Sequence, residues 1–336
     1  MMPEFGFPAQ PRQAAIKSLV ANLRTRSDES RSAAVTGRHS DVTGELGGRV
    51  SELMQMEKSI RDVQTYAEAI TLSEGRAATS QRALDQVRAS AQEITDTADL
   101  LGTNGTSADF GTLSTQARGQ LESLVAGMNT SFAGRMLFAG DVVDTAPVAD
   151  AETIMSASVP FLEGNASAGT AYAALRAEFL GAGATFETAL YNGGTDNAPV
   201  TEIAPGERVD FSVRADEGPM REMLFNMTVM AAAFDDSNAI DGAAREGLLK
   251  LASEGLRNNI GSIAQVQGRV GTAEARIATM KSRNIASEAS LTISINELAG
   301  ADTFEAAITL RDLETQLEVA FSTTSRLANL TLANFR

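Results

Sequence analysis

Apolar residues recur at three- and four-residue steps at both ends of this chain. That spacing limits it to folds in which long helices lie side by side. Near the C-terminus the series is Leu310, Leu313, Leu317, Ala320, Phe321 and Leu327. In the first third it is Leu84, Val87, Ala91, Ile94, Ala98 and Leu101. Such steps put the side chains on one stripe of a helix, and a stripe must meet a partner to leave water. The same rhythm runs through Ile16, Leu19 and Leu23, through Leu53, Met56, Ile60 and Ile70, and through Leu121, Leu124 and Met128. It returns in Leu248, Leu251, Leu256, Ile260, Ile263, Val270 and Ile277. One helix is expected from Val50 to a stop at Gly102, and a second from about Ser114. A third should start near Pro219, and a long one near Ala243, with a break at Gly300 before a terminal helix to Phe335.

The middle of the chain reads differently. Pro147, Pro160, Pro199, Pro205 and the turn Asn192-Gly193-Gly194 interrupt any long helix between Val142 and Asp216. Val209 to Val213 alternates apolar and polar, as a half-buried strand does. Ala171 to Leu180 fits a helix, and Arg135 to Gly140 a strand running into a turn. The expected fold is mainly α, a long antiparallel helical rod formed by paired N- and C-terminal regions. A small α+β or β domain, 142–216, is inserted in it.

Composition narrows the function classes. Hydrophobic residues make up 43% of the 336, but aromatics only 5%, and Trp is absent. The core must be aliphatic, which suits helix seams better than an aromatic-lined substrate pocket. There is no Cys and a single His, His39. Disulfides, thiolate nucleophiles and Cys-based zinc sites are excluded, and a His-based metal site or triad is not expected. Gly181-Ala-Gly183 lacks the third glycine of a dinucleotide loop, because position 186 is Phe. No cofactor, metal or catalytic residue is expected.

The formal net charge is −15. Phosphate contacts need a basic face, so nucleic acid is not an expected partner. The charge is uneven: Asp141 to Met220 holds 13 acidic and 3 basic residues, whereas the first 40 residues hold 3 acidic and 6 basic. No apolar run approaches the roughly 20 residues that span a bilayer, and Met1 to Arg12 lacks the apolar core of a secretory signal.

Three segments carry a family resemblance. Val35-Thr-Gly-Arg-His-Ser-Asp-Val-Thr-Gly-Glu-Leu-Gly-Gly48 resembles a segment of some alphaproteobacterial hook-associated proteins. Met128-Asn-Thr-Ser-Phe-Ala-Gly-Arg-Met-Leu-Phe-Ala-Gly140, followed by Thr145-Ala-Pro147, is similar to a signature of flagellin-like junction proteins, with Met136 where Tyr is usual. Leu310 to Phe335 resembles the terminal helix of the flagellin superfamily. Together they resemble the hook–filament junction members of that superfamily.

The resemblance implies a layered organisation. Residues 1–44 and 296–336 would form an inner terminal helical layer. Residues 45–141 and 217–295 would form a helical bundle rod with a β-hairpin, and 142–216 would project as an outer domain. Ile16, Leu19, Leu23, Leu310, Leu313, Leu317, Phe321, Leu327 and Leu330 would form the assembly interface. Leu53, Ile60, Ile70, Leu84, Val87, Ile94, Leu121, Met128, Ile260, Ile263 and Ile277 would form the rod core. The implied function is a structural junction between hook and filament, built by helical self-assembly, not an enzyme. Implied partners are further copies in a helical or ring layer, a hook-side hook-associated protein, flagellin and an export chaperone. The location would be the extracellular flagellum, reached by type III export. Two other readings fit the helices: a flagellin-type filament subunit, and a soluble coiled-coil secreted or signalling protein.

Overall fold

The structure is a computed structural model. It describes residues 10–41, 44, 46–102, 105–165, 167–198, 200–235 and 237–333; the side chains of 10–14, 243 and 327–333 fall outside that description. The fold is mainly α. The helices are α1 (Gln10–Thr36), α2 (Val50–Leu101), α3 (Ser107–Met128), α4 (Ala151–Leu162), α5 (Ala168–Leu180), α6 (Gly218–Ala233), α7 (Gly242–Ala299) and α8 (Thr303–Ala333). A 3-10 turn (Gly47–Arg49) precedes α2, and a π-turn (Phe186–Leu190) follows α5. Two antiparallel hairpins complete the described structure: β1 (Ser131–Phe132) with β2 (Arg135–Met136), and β3 (Thr201–Ala204) with β4 (Glu207–Val209). The chain divides into two compact units, residues 1–64 with 285–336, and residues 65–284.

In the first unit α1 packs on α8. Their register is antiparallel: Arg31 meets Glu314 at 3.1 Å, and Arg24, two turns earlier in α1, lies over the ring of Phe321, two turns later in α8. The chain crosses at Gly37, whose φ of +67° a side chain would strain. There the Ala301 amide donates to Gly37 O (2.9 Å) and the His39 amide to Ala299 O (3.1 Å). A second small core joins Leu53 of α2 to Ile295, Leu298 and Ala299 of α7, with Met56 and Ile60 half-buried against it.

The second unit holds one continuous core. Its centre is α6, in which every residue from Met223 to Ala233 is buried. A helix apolar on all sides needs neighbours on all sides. Ile70, Leu84, Val87 and Ile94 of α2, Leu121 and Met128 of α3, and Ile263 and Ile277 of α7 belong to the same core. So do Ile154 of α4, Phe179 of α5, Phe186 and Leu190, so the described part of 142–216 shares that core. The buried hydroxyl of Ser114 donates to the α6 carbonyls of Met230 (3.2 Å) and Ala231 (2.5 Å), satisfying the end of that helix.

Local chemistry explains where the elements differ from the expected ones. α3 begins at Ser107, seven residues before Ser114, because Thr106 and Asp109 form a reciprocal capping box. α4 occupies a stretch read as interrupted; Asp150 caps its start, and Pro160 falls only in its last turn. The strand expected through Val213 stops at Val209, because Asp210 turns to accept from the Ser212 amide (2.9 Å). The tight β1–β2 turn runs through Ala133 (φ 50°) and Gly134 (φ 76°), the pair of positive φ values a type I′ hairpin needs.

One arginine orders the segment after α5. The Nε of Arg221 donates to Phe179 O (2.6 Å) and its Nη2 to Gly181 O (3.2 Å). Its Nη1 donates to Glu187 (2.9 Å), and the guanidinium lies 4.9 Å from the centre of the Phe186 ring. This partly buried side chain caps the last carbonyls of α5 and fixes the π-turn beside α6.

Candidate assembly surface

The α1–α8 pair brings the expected interface residues into one place. Leu23 and Leu313 are buried between the helices; Ile16, Leu310 and Leu317 are half-buried beside them. Ser27 and Ala33 are buried too, and their small size lets the two backbones approach. Leu19 stays 54% exposed and Phe321 46%, the latter beneath Arg24. The side chains of Leu327 and Leu330 fall outside the described residues.

Pairing uses only one stripe of α8. Phe304 (75% exposed), Ile308 (49%) and Val319 (60%) follow each other at steps of four and eleven residues. At 3.6 residues per turn these positions fall on one line, on the side away from Leu310, Leu313 and Leu317. Sequence reasoning missed this second stripe. Its signal was present in the spacing, but the stronger leucine series on the other side hid it.

Between α1 and the flank of α8 lies a groove of about 410 Å³, lined by Ile16, Leu19, Leu23, Val319 and Ala320, with Thr315 and Thr323 at its edges. Elsewhere on the same helix pair Arg31 reaches Asp28 (3.5 Å) and Glu314 (3.1 Å). All three side chains are more than half exposed, so the ion pairs contribute little energy and serve mainly to orient. In the same unit, Ile285 and Ile293 of α7 and Met54 of α2 also face solvent. This surface can bury apolar area. Among the described residues no group of three or more His, Asp or Glu is placed to hold a metal ion. No helix among them is long and apolar enough to cross a membrane.

The expected rod-core residues divide between the units. Leu53 and Ile60 lie in the small core of the first, Leu53 buried and Ile60 half-buried. In the second, Ile70, Leu84, Val87, Ile94, Leu121, Met128, Ile263 and Ile277 are buried, and Ile260 packs half-buried against them.

No family model and no curated protein matches the sequence. The fold does match solved structures. One is a protein assigned as flagellar hook-associated, from Vibrio parahaemolyticus, with 12% identity and a TM-score of 0.55 over 76% of this chain and 99% of that one. Another is FlgL of Bacillus cereus, with 15% identity and a TM-score of 0.53 over 72% of this chain and 99% of that one. At these identities the likeness is one of fold: this chain spans nearly the whole architecture of both proteins.

Proposed function

We propose that this chain is a self-assembling structural subunit of the bacterial flagellum, at the junction of hook and filament, the place of hook-associated protein 3. The observation that carries this reading is the α1–α8 pair. The first and last described helices close on each other, yet leave an apolar groove and a second apolar stripe uncovered. Large apolar patches on a soluble chain mark surfaces that another protein covers. Both the three motifs and the fold of the Vibrio and Bacillus proteins agree with the flagellar assignment.

The mechanism is mechanical. Neighbouring copies cover Leu19, Phe304, Ile308 and Val319, each contributing on the order of 1 kcal/mol or more as its exposed area is buried. A contact between two different patches of identical subunits propagates into a ring or helical layer. One face of that layer meets the hook-side hook-associated protein and the other meets flagellin. An export chaperone covers the terminal helices beforehand, and the flagellum's type III route delivers the chain outside the cell.

Two measurements test this. Val319→Asp leaves the chain folded by circular dichroism but abolishes incorporation into flagella; normal incorporation would refute the role of the groove. Deleting the gene leaves hooks in place and sheds unassembled filament protein into the medium. Full-length filaments on the deletion strain would refute the junction assignment.

A further inference from the structure

The α1–α8 pair carries opposite charge in its two halves. The half that holds the groove, residues 15–26 with 319–326, has Lys17, Arg24, Arg26 and Arg326 and no acidic residue. The other half, residues 27–36 with 303–318, has six acidic residues and two arginines. All of these charged side chains are exposed. Exposed apolar surface divides the same way. The groove, with Leu19 and Val319, lies in the basic half, and Phe304 and Ile308 face solvent in the acidic half. Each half presents the charge and the apolar shape that the other would need in a partner.

Helical spacing sets these charges around the apolar groups. Arg26 follows Leu19 by seven residues and Leu23 by three, so it borders the groove from α1. Arg326 follows Val319 by seven and Thr323 by three, so it borders the groove from α8. In the acidic half Phe304, Ile308, Asp312 and Glu305 fall within about 100° of one face of α8. Arg31 meets Glu314 and Arg24 meets Phe321, which puts Arg26 level with Val319. Arg26 and Arg326 are then separated along the axis by the seven residues from 319 to 326, about 10 Å, and Glu305 and Asp312 by the same seven. A second copy in the same orientation, slid by the residues from 305 to 319, or about 21 Å, brings both carboxylates level with both guanidinium groups. The same slide carries Phe304 to the level of Glu318 and Ile308 to that of Ser322, within the groove that runs from Thr315 to Thr324. A copy turned end for end can also match the charges, but it sets Phe304 level with Leu327, beyond the groove.

We infer that the acidic half of α8 in one copy seats in the groove of the next, in the same orientation and displaced by about 21 Å along the helix axis. Phe304 and Ile308 fill the apolar floor, and Glu305 and Asp312 meet Arg26 and Arg326 at its rims. A groove matched to a stripe elsewhere on the same chain makes a contact that does not close on itself, and the axial displacement makes the layer helical, not a flat ring. The inference rests on the self-assembly proposed above, and it names the occupant of the groove and the direction in which copies add.

The test is a charge exchange in full-length chains, read as the critical concentration for polymer formation. Arg26→Glu with Arg326→Glu should raise it at least about tenfold, because acidic groups then face acidic groups. Glu305→Arg with Asp312→Arg should do the same with basic groups. An equimolar mixture of the two doubly substituted chains should polymerise near the wild-type concentration, since each supplies the charge that the other has lost. An apolar photo-cross-linking residue at position 308, in wild-type polymers of mixed heavy- and light-isotope copies, should join one copy to Leu19, Leu23 or residues 319–324 of another. Unchanged polymerisation of either substituted chain, a mixture that stays unassembled, or cross-links confined to single copies would overturn the inference. Loss of polymer in Val319→Asp together with any of these would leave the groove reading standing. Polymer retained by Val319→Asp, or a wild type that never polymerises, would overturn both.

Discussion

The two units share helical geometry and differ in how completely they bury what they carry. In the second, α6 is covered on every side, and Phe225 and Leu224 have no exposure at all. In the first, the described buried apolar residues are Leu23, Ala33, Leu53, Ile295, Leu298, Ala299 and Leu313. Against those seven stand nine large apolar residues left in solvent: Leu19, Val35, Met54, Ile285, Ile293, Phe304, Ile308, Val319 and Phe321. The second unit also leaves Leu72, Leu100, Val142 and Val200 in solvent, but against a far larger buried core. The first has the amphipathic pattern of a body whose remaining walls belong to other molecules. The α1–α8 seam and the small core between α2 and α7 together bury few apolar side chains.

The sharpest way to break this contrast is to damage the second unit. Phe225 is fully buried and lies against both Tyr172 (4.8 Å between ring centres) and Phe179 (5.8 Å). Phe225→Ala should cost about 3–5 kcal/mol. Calorimetry should show the main unfolding transition moving down strongly. A shift of only a degree or two would mean that the core around α6 is not what holds the unit. The Arg221 clamp is worth less. Arg221→Ala leaves the carbonyls of Phe179 and Gly181 without their donors and should cost about 1–3 kcal/mol in denaturant unfolding. Arg221→Lys carries its three N–H donors on a single nitrogen, which cannot span the three separate acceptors that the guanidinium fork reaches, so it should recover only part of the loss. Full recovery would show that charge alone matters.

Much of this contrast was legible in the sequence, and the failures have definite causes. The ends of α2 at Gly102 and of α7 before Gly300 were readable because a strong apolar period met a glycine. The start of α3 was not, since Thr106 to Asp109 looks like turn chemistry until its reciprocal cap is recognised. Pro160 argued against α4, yet a proline in the last turn removes only one helical hydrogen bond. The partners of Phe179, Phe186 and Ile154 lie on α6 and elsewhere in the common core, distant in sequence, so periodicity could not reveal that they share it. At the candidate surface the buried seam was readable from the leucines of α8. The exposed stripe of Phe304, Ile308 and Val319 needed knowledge of which side α1 takes.

Acid should sharpen the comparison from another direction. In the second unit, hydrogen bonds from Thr106 hold the Asp109 carboxyl below its usual range, and bonds from Thr153 do the same for Asp150. The Gly183 amide, and then Arg221, lower Glu187; the Ser237 hydroxyl leads in lowering Asp235. A carboxyl whose pKa is depressed by folding binds protons more readily when unfolded. Its contribution is therefore present above the ordinary carboxylate range and lost as pH falls through that range and below it. The melting temperature of the second unit should hold from pH 7 to about 5 and decline below about 4. Asp109→Asn and Asp150→Asn together should flatten the decline. An unaltered slope in that variant would place the acid sensitivity elsewhere.

The smallest expected effect is the most discriminating. Val319 touches the groove but leaves 60% of its surface in water, so the isolated chain gains little from it. Val319→Ser should change monomer stability by no more than about 0.5 kcal/mol, the ordinary range for a surface substitution. In an assembly the same side chain would be enclosed, and its replacement should then cost about 1–2 kcal/mol per contact. Each subunit of a layer repeats that cost, so the critical concentration for polymerisation should rise by about tenfold while the melting curve of the dilute chain stays in place. A substitution at the buried counterpart, Leu313→Ala, should move both quantities, because Leu313 serves the α1–α8 seam within one chain. If Val319→Ser shifted the monomer's melting curve as far as Leu313→Ala does, the groove would already be closed in the single subunit. The distinction between a complete and an incomplete unit would then have to be redrawn around α1.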